Sequence, residues 1–218
     1  MATCALVGAG PFNAEHFKLL DAQGAFDMVI AADGGFAHLE AIGRAPDMAV
    51  GDFDSLGYVP KCRRVSRHPV KKDKSDMELS MEKAVSWDND TLIIYGALGG
   101  RLDHTLANLQ LFAKFSERGS YVMAIDDTSA VRLVTGPDAF ALPTLPEGST
   151  VSVFSANDRA EGVIERGLAW ELDDEPLTNR TSRGLSNETL TAPATIAVEK
   201  GTLYVFFPLP DESAAAAV

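Results

Sequence analysis

Residues 50–56 read VGDFDSL: an apolar residue and a glycine lead into Asp52 and Asp54, two carboxylates two positions apart. In a strand, residues i and i+2 point to the same face, so these like charges would repel unless a cation lay between them. Turn chemistry offers one explanation, because Asp and Ser hydrogen-bond their own backbone. A hard divalent cation, which prefers carboxylate oxygen, offers the other. The pattern recurs after other apolar runs. Asp33-Gly34-Gly35 follows MVIAA, and Gly99-Gly100-Arg101-Leu102-Asp103-His104 follows TLIIYGAL. Residues 71–78, KKDKSDME, add Asp73 and Asp76 among Lys71, Lys72 and Lys74.

Each acid has a local explanation. Asp33 before two glycines suits a turn. Ser75 and Glu78 fit a capping box, with Asp76 as a first-turn acid favoured by the helix dipole. Asp103 suits the N-cap of the next helix. None of these explains why acids should follow several strands of one sheet, where open α/β proteins bind ligands. Gathered carboxylates without a cation would raise each other's proton affinity and destabilise the fold. Mg²⁺ fits such a set, since it takes one or two carboxylates, waters and substrate phosphate oxygens. The lysines and Arg101 place positive charge for a polyphosphate, and the glycines let backbone N–H groups approach it. The residues thus point to a Mg-nucleotide site. GAGPFN at 8–13 lacks the third glycine of a dinucleotide fingerprint, and no G-x-x-x-x-G-K-[ST] loop is present.

The elements that must position these residues follow from hydrophobic periodicity. To about residue 135, apolar runs (CALVGAG, DMVIAADGG, DMAVGDFDS, TLIIYGALGG, YVMAID, AVRLVTG) alternate with helical patterns (NAEHFKLLDA, FAHLEAIG, SDMELSMEKAVSW, DHTLANLQLFAKF). In the third pattern Met77, Met81, Ala84 and Val85 mark one helix face. The alternation predicts an α/β fold with a mostly parallel, Rossmann-like sheet and helices on both faces. GPDAFALPTLPEGS, with three prolines and two glycines, reads as a linker. Beyond it TVSVFSA, EGVIERG, LAWEL, ATIAVEKG and TLYVFFPL predict a small antiparallel β-sandwich. The expected domains are 1–138, α/β and catalytic; 139–211, a β-sandwich; and 212–218, a flexible tail.

Bulk properties narrow the function classes. The formal net charge is -12, from 19 Lys+Arg against 31 Asp+Glu, a poor match for nucleic acid or an anionic membrane. Two cysteines, Cys4 and Cys62, make neither a disulfide framework nor a zinc pattern. Cys4 lies in an apolar run and is expected in the core. The first ten residues lack the basic start of a signal peptide. No apolar run approaches the roughly 20 residues of a membrane span, so a cytoplasmic location is expected.

The ordered set ADGG, GDFDS, DKSD, GGRLDH and SRGLSNE resembles the thiamine pyrophosphokinase family over roughly residues 30 to 207. Any one of these motifs is modest; five in order are specific. The resemblance implies transfer of the pyrophosphoryl group of ATP to the hydroxyethyl arm of thiamine, giving thiamine pyrophosphate and AMP. It implies a Mg-ATP-binding α/β domain, a thiamine-binding β domain and a homodimer with thiamine near its interface. Carried over by motif, Asp52, Asp54, Asp73 and Asp76 look like metal and polyphosphate residues. Asp33, Gly34, Lys72, Lys74, Gly99, Gly100 and Arg101 look like the ATP site. Asp54, Asp76, Arg101 and Asp103 are the expected catalytic residues, with Asp103 near the accepting alcohol. Trp170, Ser186 and Asn187 resemble the residues that stack on and read thiamine. GAGPF departs from the family's usual first turn. A pyrophosphokinase for another alcohol, such as a hydroxymethylpterin, is the rival enzyme. A non-catalytic nucleotide or thiamine sensor is the rival from another class.

Overall fold

The computed structural model describes residues 2–210. The first strand, β1 (Ala2–Val7), is one of six with near-continuous apolar sequence or short length that pair side by side. The others are β2 (Met28–Ala32), β3 (Met48–Gly51), β4 (Val65–Arg67), β5 (Asn89–Tyr95) and β6 (Tyr121–Ile125). Residues 4–7 of β1, all of β2 and residues 92–95 of β5 are buried, as a sheet covered on both sides requires. All pairings are parallel, in the order β6-β5-β1-β2-β3-β4. Cys4, in the core as expected, pairs in register with Met28 on one side and Leu92 on the other. The chain moves outward from β1 to β4 and returns to β5, beside β1. The strand order therefore reverses between β1 and β5, where such sheets open a crevice at their carboxyl ends.

Four helices connect these strands. α1 (Ala14–Ala22) is capped by Asn13, whose side chain accepts from the His16 N–H at 3.0 Å. α2 (Gly35–Ala41) packs on β1 and β2. Gly35 is required there, because a Cβ would sit 1.9 Å from the Val7 carbonyl oxygen. α3 (Asp76–Ser86) is capped by Ser75, whose hydroxyl accepts from the Glu78 N–H at 3.2 Å. It buries Met77, Ser80, Met81 and Ala84 against the sheet, while Val85, expected on that face, is 40% exposed. α4 (Leu102–Ser116) buries Phe112, Ala113, Phe115 and Ser116 near its end, but Leu102 and Leu106 near its start are exposed.

The chain divides into two compact units. The first holds residues 1–111 and 120–127, and the second holds 112–119 and 128 onward. The second is antiparallel throughout. β7 (Ser129–Thr135) pairs with β14 (Thr202–Pro208), which pairs with β9 (Thr150–Ser155), which pairs with β12 (Asn187–Glu188). A second sheet runs β11 (Leu172–Leu177), β10 (Ala160–Arg166), β13 (Thr195–Val198), β8 (Asp138–Ala141). Phe140 of β8 and Phe207 of β14 meet with ring centroids 5.6 Å apart, joining the two sheets.

Three sequence expectations change here. AVRLVTG, read with the parallel alternation, is β7 and runs antiparallel to β14, about 70 residues later; an apolar run carries no signal of the direction of its partner. The Pro-rich stretch read as linker contains β8. LAWEL is no strand at Trp170: that residue lies in the connection between β10 and β11. The tail at 212–218 lies outside the described residues.

Candidate active site

In the first unit the ends of β2 and β3 and the start of α3 bring three carboxylates together. Asp33, Asp52 and Asp76 each offer an oxygen within 4.8 Å of the others. Local backbone makes this possible. Asp33, one residue past β2, has φ 47°, and Phe53, between Asp52 and Asp54, has φ 63°. Left-handed backbone at non-glycine residues is uncommon and tends to mark functional loops. Residues 52–54 leave the extended conformation, so the i, i+2 rule of a strand does not govern Asp52 and Asp54, whose side chains nevertheless interact. Asp52 turns toward Asp33 and Asp76, while Asp54 is exposed and its N–H donates to Asp52 Oδ1 at 3.2 Å. Both explanations of the motif meet at Asp52, which heads an Asx-type turn closed by the Asp54 N–H and also joins the carboxylate cluster.

Asp33 anchors the loop. Its Oδ1 accepts from the Phe53 N–H at 3.1 Å and its Oδ2 from the Ser55 hydroxyl at 2.7 Å. Lys72 bridges the other two acids, with Nζ 2.8 Å from Asp52 Oδ2 and 3.0 Å from Asp76 Oδ1. The Lys72 bond, helped by the Asp54 N–H, lowers the pKa of Asp52. Burial raises that of Asp76; Lys72 opposes this, while the charges of Asp52 and Asp33 add to it. Burial works against the charge on Lys72, but its bonds to Asp52 and Asp76 prevail and raise its pKa. The set is all oxygen, drawn from three elements and short of positive charge, which suits a hard divalent cation.

The remaining expected residues of this unit lie outside that group. Asp73 is exposed. Lys74 pairs with Glu82 at 2.7 Å. Gly34 caps α2, and Gly99 and Gly100 have φ of 74° and 63° beyond β5. Arg101 and Asp103 form a two-pronged pair, 3.1 and 2.6 Å, with side chains 70% and 67% exposed. That pair, with the His104 N–H, pushes the Asp103 pKa down to about 2, so its carboxylate is ionised at neutral pH and weakly basic.

The second unit holds a cavity of about 500 Å³ lined by Glu165, Trp170, Glu171, Leu172, Arg183, Leu185 and Asn187. Gly184 lets the 184–187 turn lie against β9, since a Cβ there would sit 1.7 Å from the Val153 carbonyl oxygen. Asn187 is buried and its amide is saturated. Nδ2 donates to Glu165 Oε2 at 2.9 Å and to the Trp170 carbonyl at 2.7 Å; Oδ1 accepts from the N–H groups of Trp170 at 3.0 Å and Glu188 at 2.9 Å. Those are the four hydrogen bonds an amide side chain can make. Asn187 therefore fixes the backbone of Trp170, whose side chain is 64% exposed. Ser186 is exposed, with φ 60° and its N–H donating to the Ser152 hydroxyl.

Residue-by-residue reading missed Ser55, Glu165 and Arg183. Glu165 had a legible signal: it stands two residues after Val163 on β10, and both are buried, so an acid occupies an inward position of an alternating strand.

A parallel sheet with acids at its carboxyl edge, in one chain with an antiparallel β unit carrying a cavity lined by Trp170, gives the molecule a two-part organisation. The family models agree. Residues 21–124 match the thiamin pyrophosphokinase catalytic domain, and residues 140–203 match the thiamin pyrophosphokinase vitamin B1 binding domain. The chain belongs to the thiamin pyrophosphokinase family, whose members pass the pyrophosphoryl group of ATP to the hydroxyethyl group of thiamine, releasing AMP. It is 26% identical over 213 residues to the thiamine pyrophosphokinase of Bacillus subtilis, covering 93% of this chain and 97% of that one. The crystal structure of a thiamine pyrophosphokinase from Bacillus subtilis superposes with TM-score 0.79 at 25% identity, covering 96% and 99% of the two chains. The thiamin pyrophosphokinase from Candida albicans shares the fold with TM-score 0.76 at 14% identity, over 95% and 89%.

Proposed function

We propose that the first unit binds Mg²⁺ and ATP at the Asp33, Asp52 and Asp76 group, and that the second binds thiamine in the Trp170 cavity. The convergence of three carboxylates within 4.8 Å carries this reading. Asp52 and Asp76 would hold the ion, with Asp54 and Asp73 reaching it through water. Bound there, the ion neutralises phosphate charge. Lys72, between Asp52 and Asp76, sets the spacing of the two acids and can turn its third N–H toward a phosphate oxygen. The glycine turns at Gly34, Gly99 and Gly100 leave the backbone open to the triphosphate, with Lys74 beside it.

The reaction is an in-line attack by the primary alcohol on the β-phosphorus of ATP, with AMP leaving, and it demands mainly positioning and charge stabilisation. Arg101 has further N–H donors beyond those engaged by Asp103, so it can hold phosphate while keeping that partner. Asp103, ionised and weakly basic, orients the alcohol and accepts its proton late. Trp170 stacks on the thiamine rings, with Ser186 at the rim. The functional division follows these two units, with a Rossmann-like donor module and a β-sandwich acceptor module. The enzyme works as a homodimer in the cytoplasm. Among the described residues no helix is long and apolar enough to cross a membrane.

Incubation of the purified protein with ATP, Mg²⁺ and thiamine should yield AMP and thiamine pyrophosphate, and Asp52→Asn should abolish both. AMP formed with a pterin alcohol but not with thiamine would overturn the acceptor assignment. ATP or thiamine binding without AMP would favour a sensor.

A further inference from the structure

We propose that Lys72 is a resident stand-in for the divalent ion: the ion enters by taking its place between Asp52 and Asp76, and the released ammonium then holds the ATP phosphates. The inference rests on the assignment of Mg-ATP to this cluster.

Lys71 and Lys74 are exposed, whereas the side chain of Lys72 is only 14% exposed. Its Nζ donates to Asp52 Oδ2 at 2.8 Å and stands 3.0 Å from Asp76 Oδ1. That Asp76 oxygen is buried and makes no aligned hydrogen bond; its contact with Lys72 is an ion pair. The other oxygens of Asp33 and Asp52 are taken up by the 52–55 loop. Both Asp33 oxygens accept, from the Phe53 N–H and the Ser55 hydroxyl, and Asp52 Oδ1 accepts from the Asp54 N–H. An ion that bridges Asp52 and Asp76 therefore has its place where the ammonium stands. The two cannot share it, because like charges at contact distance repel and two carboxylates already neutralise a divalent ion.

Occupation by Lys72 has two consequences. It weakens the empty site for free ion, because an ion binds only those molecules in which the ammonium has left. It also couples the two ligands. An ion frees the ammonium for phosphate, and a phosphate that draws the ammonium away opens the place for an ion. Such coupling is reciprocal, so ion and nucleotide bind together. Between turnovers the acids keep a counter-charge.

Lys72→Met tests this, since it removes the charge and keeps an unbranched side chain. The probe is Mn²⁺ alone, titrated by calorimetry without nucleotide. The variant should bind Mn²⁺ about 10- to 100-fold more tightly than wild type, while its KM for Mg-ATP rises about 10-fold. The opposite signs are decisive. A lysine that only keeps the acids in place would weaken both ligands when removed, and one that only meets phosphate would leave ion affinity unmoved; either result would overturn the proposal. The calorimetric stoichiometry counts folded sites. Lys72→Gln, which retains hydrogen-bond donors toward the acids, should shift both constants in the same directions and serves if the methionine variant fails to fold. Asp52→Asn separates this inference from the site assignment. Loss of Mn²⁺ binding in Asp52→Asn, with equal affinity in wild type and Lys72→Met, would overturn the role of Lys72 alone. Mn²⁺ binding that survives Asp52→Asn unchanged would overturn the cluster as the ion site, and this role with it.

Discussion

In the first unit a single ammonium, Lys72, holds Asp52 and Asp76 together beside Asp33. In the second, a neutral amide, Asn187, ties Trp170 and Glu165 with no ion pair. The acid cluster depends on charge and is adjustable: any cation that outcompetes Lys72 can reset its geometry. The cavity wall is preorganised by short-range hydrogen bonds that fix the backbone of Trp170. The difference suits the chemistry. In the roles proposed for them, the first must accept a metal-bound polyanion whose charge shifts during transfer, whereas the second must hold a flat organic cation in one pose.

Removing charge from the first region should have the largest effect. Asp52→Asn is expected to lower kcat about 10²- to 10³-fold, measured by thiamine-dependent AMP release. Asp54→Asn should cost less, because Asp54 lies outside the converging group; equal losses would show that Asp54 contacts the ion directly. Chelation should abolish turnover in the wild type, and added Mg²⁺ should restore it.

Trp170→Ala should act on the other region alone. Loss of stacking on a cation, about 0.5–2 kcal/mol, predicts a rise of about 2- to 30-fold in the KM for thiamine with ATP affinity unchanged. A coupled loss of ATP affinity would break the separation of the two sites.

Lys72→Ala should leave three carboxylates facing each other. Discounting for partial exposure, the expected destabilisation is about 1–3 kcal/mol in chemical denaturation without divalent ions. Millimolar Mg²⁺ should recover part of it. Failure of Mg²⁺ to stabilise the variant would argue against a cation at this cluster.

The smallest effect concerns pH. The folded-state pKa of Glu165 is raised above its unfolded value by burial. Stability is therefore lost as pH rises from the ordinary carboxyl range through the raised value. Glu165→Gln lacks that loss. Its melting temperature relative to wild type should climb over that window and then level off. A variant destabilised equally at every pH would identify Glu165 as a structural anchor of Asn187 only.

Much of this was legible before any coordinates. The apolar runs marked the parallel strands, and Ser75 and Glu78 marked the start of α3. What local reasoning could not see was direction. The i, i+2 rule foresaw Asp52 beside Asp54, but not the left-handed Phe53 between them or the approach of Asp33 and Asp76 to Asp52. Nor could it see that Asn187, expected beside the ligand, anchors Trp170 and Glu165, 17 and 22 residues away. Ser55 and Glu165 went unnoticed because their significance lies in partners remote in the chain.

The sequence by itself determined all four helices and five of the six parallel strands, that acids follow several strand ends, and, through five motifs in order, the family. Those properties depend on neighbours a few residues apart, where periodicity and capping act. Only the tertiary structure decided which acids converge, that Lys72 stands between two of them, and that Glu165 keeps an unpaired oxygen beside the cavity. Such facts depend on backbone dihedrals at single turns and on pairings across tens of residues, which residue type alone leaves open.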